Sequence, residues 1–258
     1  MNVLQNLVEL YNHLPMDSTY REVAKGILTH LEEVADATIY DVAELTCSSR
    51  TTVWRMIQKM GYGSYSEFRH ALKQSVSHYS YYNRLLPMEQ EGEPVEAVFA
   101  AQLKAIAKAL PTDLKGEGLE QMAELMAGKS KVSFYIPFHS SAVSTLQQNL
   151  AMAGKETAAC VLLPDMQEDA KAMDATGLAF CMTIEHAEAQ DLVPLFGALK
   201  EQGTQIALFS SGTSRYEQFV DFHLCGGNDR GSAMNGVMRC ELYLFALSEV
   251  FRREYLGR

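Results

Sequence analysis

The chain has 258 residues, of which 47% are hydrophobic and 21% charged, and its formal net charge at neutral pH is −10. This composition is typical of a folded globular protein of about two domains and excludes a collagen-like or disordered chain. No stretch approaches the roughly 18 consecutive apolar residues of a transmembrane helix, and the first residues lack the basic region and cleavage site of a signal peptide. We therefore expect a cytoplasmic protein that does not contact the membrane.

The negative charge is unevenly distributed along the chain. Residues 1–85 hold eight Lys or Arg and nine Asp or Glu, so almost all of the excess acidity belongs to the remainder. Within this first part, residues 45–66 contain Arg50, Arg55 and Lys59 and no acidic residue. A local basic face on a nearly neutral domain suits DNA, because backbone phosphates respond to the local field rather than to the total charge.

Helical spacing of apolar residues dominates the first third of the chain. It predicts helices over 3–12, over 19–35, over the segment IYDVAEL after Thr38, from Ser49 to about Met60, and from Ser64 onward. The periodicity then weakens, and prolines, a glycine and glutamates accumulate. We therefore predict a DNA-binding domain at 1–78, a linker at 79–94 and a second domain at 95–258.

The second domain has a different pattern of apolar residues. After a helix of about 15 residues and another near 118–127, short apolar runs alternate with helical stretches. The predicted strands cover 132–136, 158–163, 178–184, 205–209 and about 222–224, and the predicted helices cover 140–153, 190–202 and 232–255. Such alternation predicts βαβ units and a parallel sheet. The expected fold is an all-α domain followed by a three-layer α/β domain.

The pattern in residues 38–72 predicts a helix-turn-helix. Two helices that cross at a tight turn need a small residue at the contact, which Ala43 supplies, and its ten-residue separation from Val53 is the spacing that this packing requires. Apolar residues lock the pair together: Ile39, Val42 and Leu45 on the first helix, and Val53, Met56 and Ile57 on the second.

The second of these helices has the features of a recognition helix. Ser49 is its predicted N-cap, and its first turn offers a cation and two hydroxyls to the major groove. Arginine pairs with guanine, while Arg55 and Lys59 lie further along and are expected at the phosphates. The predicted DNA-contacting residues are Thr38, Ser49, Arg50, Thr51, Thr52, Arg55 and Lys59. A helical hairpin with a solvated basic face is the alternative.

These residues resemble the N-terminal domain of the RpiR/MurR family of transcription regulators. The family pattern TI-x-x-(L/V)-A, S-x-x-T-V-x-R and K-x-(L/M)-G-(F/Y)-x-x-(F/Y)-x-E-F is matched by Thr38-Ile39, Val42-Ala43, Ser49, Thr52-Val53, Arg55, Met60 to Tyr62, Tyr65 and Glu67-Phe68. Lys59 directly precedes Met60, one position after the lysine of the pattern. The turn differs, because Thr46-Cys47 stand where the family favours a small residue and glycine. A non-glycine residue there must tolerate an unusual backbone conformation.

The resemblance implies that the second domain is of the sugar-isomerase (SIS) type, which usually binds phosphosugars with two loops. The first loop typically reads G-x-G-x-S and the second S-x-S-G-x-T; here they read Pro137-Phe138-His139-Ser140-Ser141 and Thr183-Ile184-Glu185-His186-Ala187-Glu188. Glycines are lost and carboxylates enter, so we expect a ligand with an amine or several hydroxyls rather than a typical sugar phosphate, or no ligand. The predicted effector-binding residues are His139, Ser140, Ser141, Thr183, Glu185 and His186.

No catalytic residue, metal site or cofactor is predicted. The five cysteines are far apart and form no CxxC pair, so they are interpreted as small core residues or free thiols. The expected partner is double-stranded operator DNA, bound by a homodimer or homotetramer. A sugar-phosphate isomerase and a ligand-free scaffold are the alternatives.

Overall fold

The computed structural model describes residues 3–79, 92–114, 116–183, 191–210, 215–225 and 233–257. The chain forms two compact units, Met1–Asn83 with Leu162–Pro164, and Arg84–Val161 with Asp165–Arg258. Each unit has a hydrophobic core. None of the helices in the described ranges combines the length and the apolar character needed to cross a membrane.

The first unit is entirely helical. Its helices are α1 (Val3–His13), α2 (Thr19–Thr29), α3 (Leu31–Asp36), α4 (Ile39–Leu45), α5 (Arg50–Lys59) and α6 (Tyr65–Ser77). The helix predicted over 19–35 is two helices, with His30 at φ −136° and ψ 38° between them. The Thr29 hydroxyl donates to the Lys25 carbonyl at 3.0 Å, and His30 Nδ1 bonds the Gly26 carbonyl at 3.0 Å. These side chains satisfy carbonyls at the end of α2, which periodicity alone does not reveal.

The second unit is a parallel sheet covered by helices, which confirms the predicted fold class. Its elements are α7 (Val95–Asp113), α8 (Gly116–Ala127), β1 (Lys131–Tyr135), α9 (Ser141–Met152), β2 (Glu156–Cys160), α10 (Leu163–Lys171), β3 (Gly177–Thr183), α11 (Val193–Glu201), β4 (Gln205–Ser210), a 3-10 turn (Glu217–Phe219), β5 (Phe222–Cys225), α12 (Ala233–Phe251) and a π-helical end (Arg252–Leu256). The strand order is β2-β1-β3-β4-β5, and every pair is parallel.

One face of the sheet forms the main core. Alternate residues of β1, β3 and β4 point to this face, among them Phe134, Phe180 and Phe209, and they pack with buried residues of α8, α9 and α12. Tyr243 of α12 lies over Phe180 and Phe209, with ring centroids 6.4 and 5.7 Å apart. Three helices therefore cover this face of the sheet.

A polar cluster holds α10 on the opposite face. Asp169 lies 2.7 Å from Lys131 Nζ and accepts a hydrogen bond from the Tyr135 hydroxyl at 2.9 Å. The hydrogen bonds from Lys131 and Tyr135 outweigh burial and hold the pKa of Asp169 below its usual value. The sequence predicted neither α10 nor the early start of β2 at Glu156. The start of β2 depends on strand register, because Glu156 pairs with Lys131 of β1. Helix α10 depends on the polar cluster, because Asp169 contacts Lys131.

A buried ion pair ties α7 to α12. Arg239 Nε donates to Asp113 Oδ2 at 2.6 Å, and Arg239 Nη2 donates to Asp113 Oδ1. Both side chains are only 5% exposed. The bidentate geometry satisfies both carboxylate oxygens, which is the arrangement that a buried pair requires.

The cysteines with described side chains are unpaired. Cys181 and Cys240 are buried, Cys160 is half-buried and Cys47 is exposed. Burial raises the pKa of Cys160 to about 12 and raises that of Cys181 as well. The buried thiols are therefore protonated, as expected for core residues.

Candidate DNA-binding surface and effector site

Helices α4 and α5 form a tight helix-turn-helix. Val42, Val53, Met56 and Ile57 are fully buried, and Ala43 is nearly so. The amide of Ser48 donates to the Ala43 carbonyl at 2.8 Å, which closes the turn. The residues that the spacing predicted to pack α4 against α5 therefore lie together in the core.

The turn between α4 and α5 carries an unusual backbone conformation. Cys47 has φ 48° and is the only non-glycine residue of the described ranges with a positive φ. Next to it, Thr46 lies against α2: a methyl group added to Gly26 would be 2.7 Å from Thr46 Cγ2. The larger Thr46 side chain is accommodated because α2 offers a glycine at the contact.

Side-chain caps fix the starts of both helices. The Thr38 side chain accepts from the Asp41 amide, and Asp41 Oδ2 accepts from the Thr38 amide at 2.8 Å, which forms a capping box. The hydrogen bonds from Thr38 lower the pKa of the Asp41 carboxyl. Ser49 caps α5 by accepting from the Thr52 amide at 3.1 Å. Thr38 and Ser49 thus have structural roles, whatever they contact on DNA.

The outer face of α5 is cationic and open. Arg50, Thr51, Arg55 and Lys59 are exposed and Thr52 is half-exposed. Within the described residues, none of the three cations forms an ion pair. The charge of this face is therefore available to a polyanion.

Two features near α5 were not predicted. A groove runs between its first half and the start of α2, lined by Thr51, Thr52 and Arg55 on one side and by residues 15 and 17–20 on the other. The second feature is a stacking contact: the guanidinium carbon of Arg50 lies 4.4 Å from the centroid of the Tyr40 ring. The available signal was that Ile39, Val42 and Ala43 face inward, which leaves Tyr40 outside.

The candidate effector site lies at the carboxyl edge of the sheet. The chain leaves β1 toward β2 on one side and returns to β3 on the other, so β1 and β3 flank the topological switch point where ligands of open parallel sheets bind. Residues 137–141 follow β1, and Thr183 ends β3. His139 and Ser141 are exposed, whereas Ser140 and Thr183 are buried. Glu185 and His186 lie outside the described residues.

Two amides in the first turn of α9 already have acceptors. The Val143 amide donates to Ser140 Oγ at 3.0 Å, and the Ala142 amide donates to Glu241 Oε2 at 3.4 Å. A carboxylate of α12 therefore stands where a helix N-terminus would attract an anion. The adjacent cleft, lined by Phe138, His139 and Ser140 among others, has a volume of about 40 Å³, whereas ligand pockets usually measure roughly 300–1,000 Å³.

A second polar group lies at the same edge, on β4 and β5. Ser210 Oγ lies 2.7 Å from His223 Nε2, and His223 Nδ1 lies 3.2 Å from Glu217 Oε1. The order of groups resembles a nucleophile, base and orienting acid. Ser210, however, is 0% exposed, so its oxygen cannot meet a substrate in this conformation.

Comparison with known protein families decides the identity of the first unit. The family model described as "Helix-turn-helix domain, rpiR family" matches residues 1–79. Residues 1–79 are an RpiR-type helix-turn-helix domain. The predicted resemblance of the N-terminal residues to an RpiR-type helix-turn-helix domain is thereby confirmed.

Solved structures extend the likeness beyond the RpiR-type domain. The chain is similar to the Vibrio vulnificus NanR protein complexed with ManNAc-6P, with a TM-score of 0.51 and 19% identity over 99% of this chain and 93% of that one. It is also similar to the sugar isomerase domain of an RpiR transcription factor from Sphaerobacter thermophilus, with a TM-score of 0.47 and 15% identity over 61% of this chain and 93% of that one. A search of curated proteins found no match. The NanR likeness shows a shared fold, in which a helical domain is followed by a parallel-sheet domain.

Proposed function

We propose that this chain is a transcription regulator in which residues 1–78 read operator DNA and residues 95–258 pair subunits and sense a small molecule. The observation that carries the proposal is the RpiR-type domain with an exposed, acid-free recognition helix whose three cations form no ion pair with any described residue. Such a regulator acts in the cytoplasm. Two-fold pairing would present two copies of α5 to a pseudo-palindromic operator with half-sites about one or two helical turns apart.

Different residues of α5 would have different tasks. Arg50, at its first turn, is placed to reach a base edge, where a guanidinium pairs with guanine O6 and N7. Thr51 and Thr52 would donate to bases or phosphates beside it. Arg55 and Lys59 lie about one and a half and two and a half turns further on and suit backbone phosphates. Thr38 and Ser49 would contact phosphates from the capped helix starts.

Paired alanine variants of the full-length chain test these roles. Duplexes are first selected from a randomised pool by the wild-type protein, and their affinity is measured by gel shift across a salt series. We expect Arg50→Ala to relax base preference at one position, at a cost of about 1–3 kcal/mol on the best sequence. Lys59→Ala should weaken binding equally on all sequences and reduce the salt slope by about one.

Two outcomes contradict this assignment. If Arg50→Ala and Lys59→Ala lower affinity equally on every duplex, Arg50 is not a base-reading residue. If the wild-type protein selects no sequence from the pool, the chain is not an operator-binding regulator. The result would then favour a sugar-phosphate isomerase or a ligand-free scaffold protein.

We further propose that the effector bears hydroxyls or an amine and is not a typical sugar phosphate. NanR is described in complex with ManNAc-6P, but here Pro137 lacks an amide proton and the amides of Ala142 and Val143 are already engaged. The Glu241 carboxylate would repel a phosphate at this place. His139, Ser141 and Thr183, with Glu185 and His186, would contact the effector.

Thermal shift measurements test the choice of effector. We expect sugar phosphates at millimolar concentration to leave the melting temperature unchanged, because the site should not bind them. Binding at 100 times Kd would instead stabilise the fold by about 2.7 kcal/mol and raise the melting temperature. Glu241→Gln should permit a shift with sugar phosphates, whereas Glu201→Gln, on the exposed end of α11, should not. A rise of several degrees for the wild-type protein would contradict the proposal. The same samples should not turn over aldose or ketose phosphates, since we propose a sensor rather than an enzyme.

A further inference from the structure

Tyr40 and Arg50 meet across the helix-turn-helix. Tyr40 is the second residue of α4 and Arg50 the first residue of α5, and the guanidinium lies over the ring at 4.4 Å from its centroid. Tyr40 is 62% exposed. Its ring therefore contributes little to the core of the unit, and its described contact is with the cation that begins the recognition helix.

The acidic residue closest in sequence to Tyr40 does not compete for Arg50. Asp41 follows Tyr40, but its carboxylate is held by the amide and hydroxyl of Thr38 at 2.8 and 2.7 Å. Arg50 forms no ion pair with any described residue, as noted above. In the absence of DNA, the aromatic face of Tyr40 is therefore the described group that restricts the conformation of the Arg50 guanidinium.

Stacking and base reading use different parts of an arginine. The flat face of a guanidinium stacks on an aromatic ring, while its N–H groups point outward in the guanidinium plane and pair with two acceptors. Arg50 can therefore keep Tyr40 beneath its face while its edge reaches guanine. A long side chain that is already restricted loses less conformational freedom on binding.

We propose that Tyr40 is a specificity-determining residue of this regulator, which positions the Arg50 guanidinium for base recognition. This role rests on the proposed function, because it requires Arg50 to read a base. A cation–π contact at an exposed site corresponds to about two- to fivefold in an equilibrium constant. The contribution of the Tyr40–Arg50 contact should appear as a stronger preference for the base that Arg50 reads and not as a higher general affinity for DNA.

Full-length variants measured on the selected duplexes test this role. We expect Tyr40→Leu to reduce discrimination at the Arg50-dependent base pair about two- to fivefold, because leucine keeps bulk but has no π face. Tyr40→Phe keeps the ring and should remain within twofold of wild type. Tyr79→Leu, which removes another exposed tyrosine of the same unit, should leave discrimination unchanged. Fluorescence of Trp54, the single tryptophan, should show the same unfolding transition for every variant.

The double variant identifies the route of the effect. On an Arg50→Ala background, Tyr40→Leu should produce no further loss of discrimination, since its action passes through the guanidinium. If Tyr40→Leu has the same effect with and without Arg50, or weakens all duplexes equally, Tyr40 contacts DNA itself and the positioning role is wrong. Normal selection by the wild-type protein with unchanged preference in Tyr40→Leu overturns only this role. Absence of any selection overturns the proposed function and this role together.

Discussion

Cys47 adopts a left-handed backbone conformation, with φ 48°, in the turn that sets the angle between α4 and α5. For an L-residue with a Cβ atom this region costs roughly 1–2 kcal/mol. The side chain is exposed and offers little packing in return. The sequence indicated this strain, because the similar family favours glycine at the turn, and the structure places the positive φ at Cys47 and not at Thr46.

Replacement of this residue should stabilise the first unit. We expect Cys47→Gly to raise the free energy of unfolding by about 0.5–1 kcal/mol, which is the relief of strain minus the greater freedom of glycine in the unfolded chain. Denaturant unfolding followed by Trp54 fluorescence reports on this unit, since Trp54 packs against its core. Cys47→Ala keeps the Cβ atom and should leave stability within about 0.5 kcal/mol of wild type. Equal stabilisation by both variants would mean that the thiol, and not the backbone, is unfavourable.

At the scale of single elements, the sequence predicts what depends on neighbours along the chain. The helix starts capped by Ser49 and Ser64 and the short apolar runs of β1, β3 and β4 are local signals, and the elements appear close to the predicted bounds. The break at His30 depends on side chains that compete for backbone carbonyls. Helix α10 depends on Asp169, which meets β1 only after the sheet has formed.

The link between α7 and α12 has an energetic consequence at the same scale. Arg239→Ala would leave the Asp113 carboxylate buried without its pair, so we expect a loss of about 3–5 kcal/mol in the free energy of unfolding. The measurement is thermal or denaturant unfolding followed by far-ultraviolet circular dichroism. Lys171→Ala removes the exposed pair with Glu168 and should cost at most about 1 kcal/mol. Similar losses for the two variants would show that the buried pair is not a structural tie.

At the scale of the whole molecule, the two units differ in how far their sites were predictable. Apart from Thr38, which caps α4, the residues predicted to contact DNA lie on α5 and its cap, so spacing alone predicted a shared face. Their contact with DNA stays a prediction. The stacking of Arg50 on Tyr40 joins two helices and required three-dimensional coordinates. The effector residues come from separate loops, and the engagement of Ala142 by Glu241 spans 99 positions of the chain, so no local pattern reveals it.

Helix α5 has a buried side and an exposed side. Val53, Met56 and Ile57 are fully buried, whereas Arg50, Thr51, Arg55 and Lys59 are exposed. Substitutions on the outer side leave the interior untouched, and surface changes of this kind usually alter stability by less than about 0.5 kcal/mol. These four side chains can therefore be exchanged while the fold stays intact, so the proposed choice of operator can change during divergence or by engineering without a loss of stability.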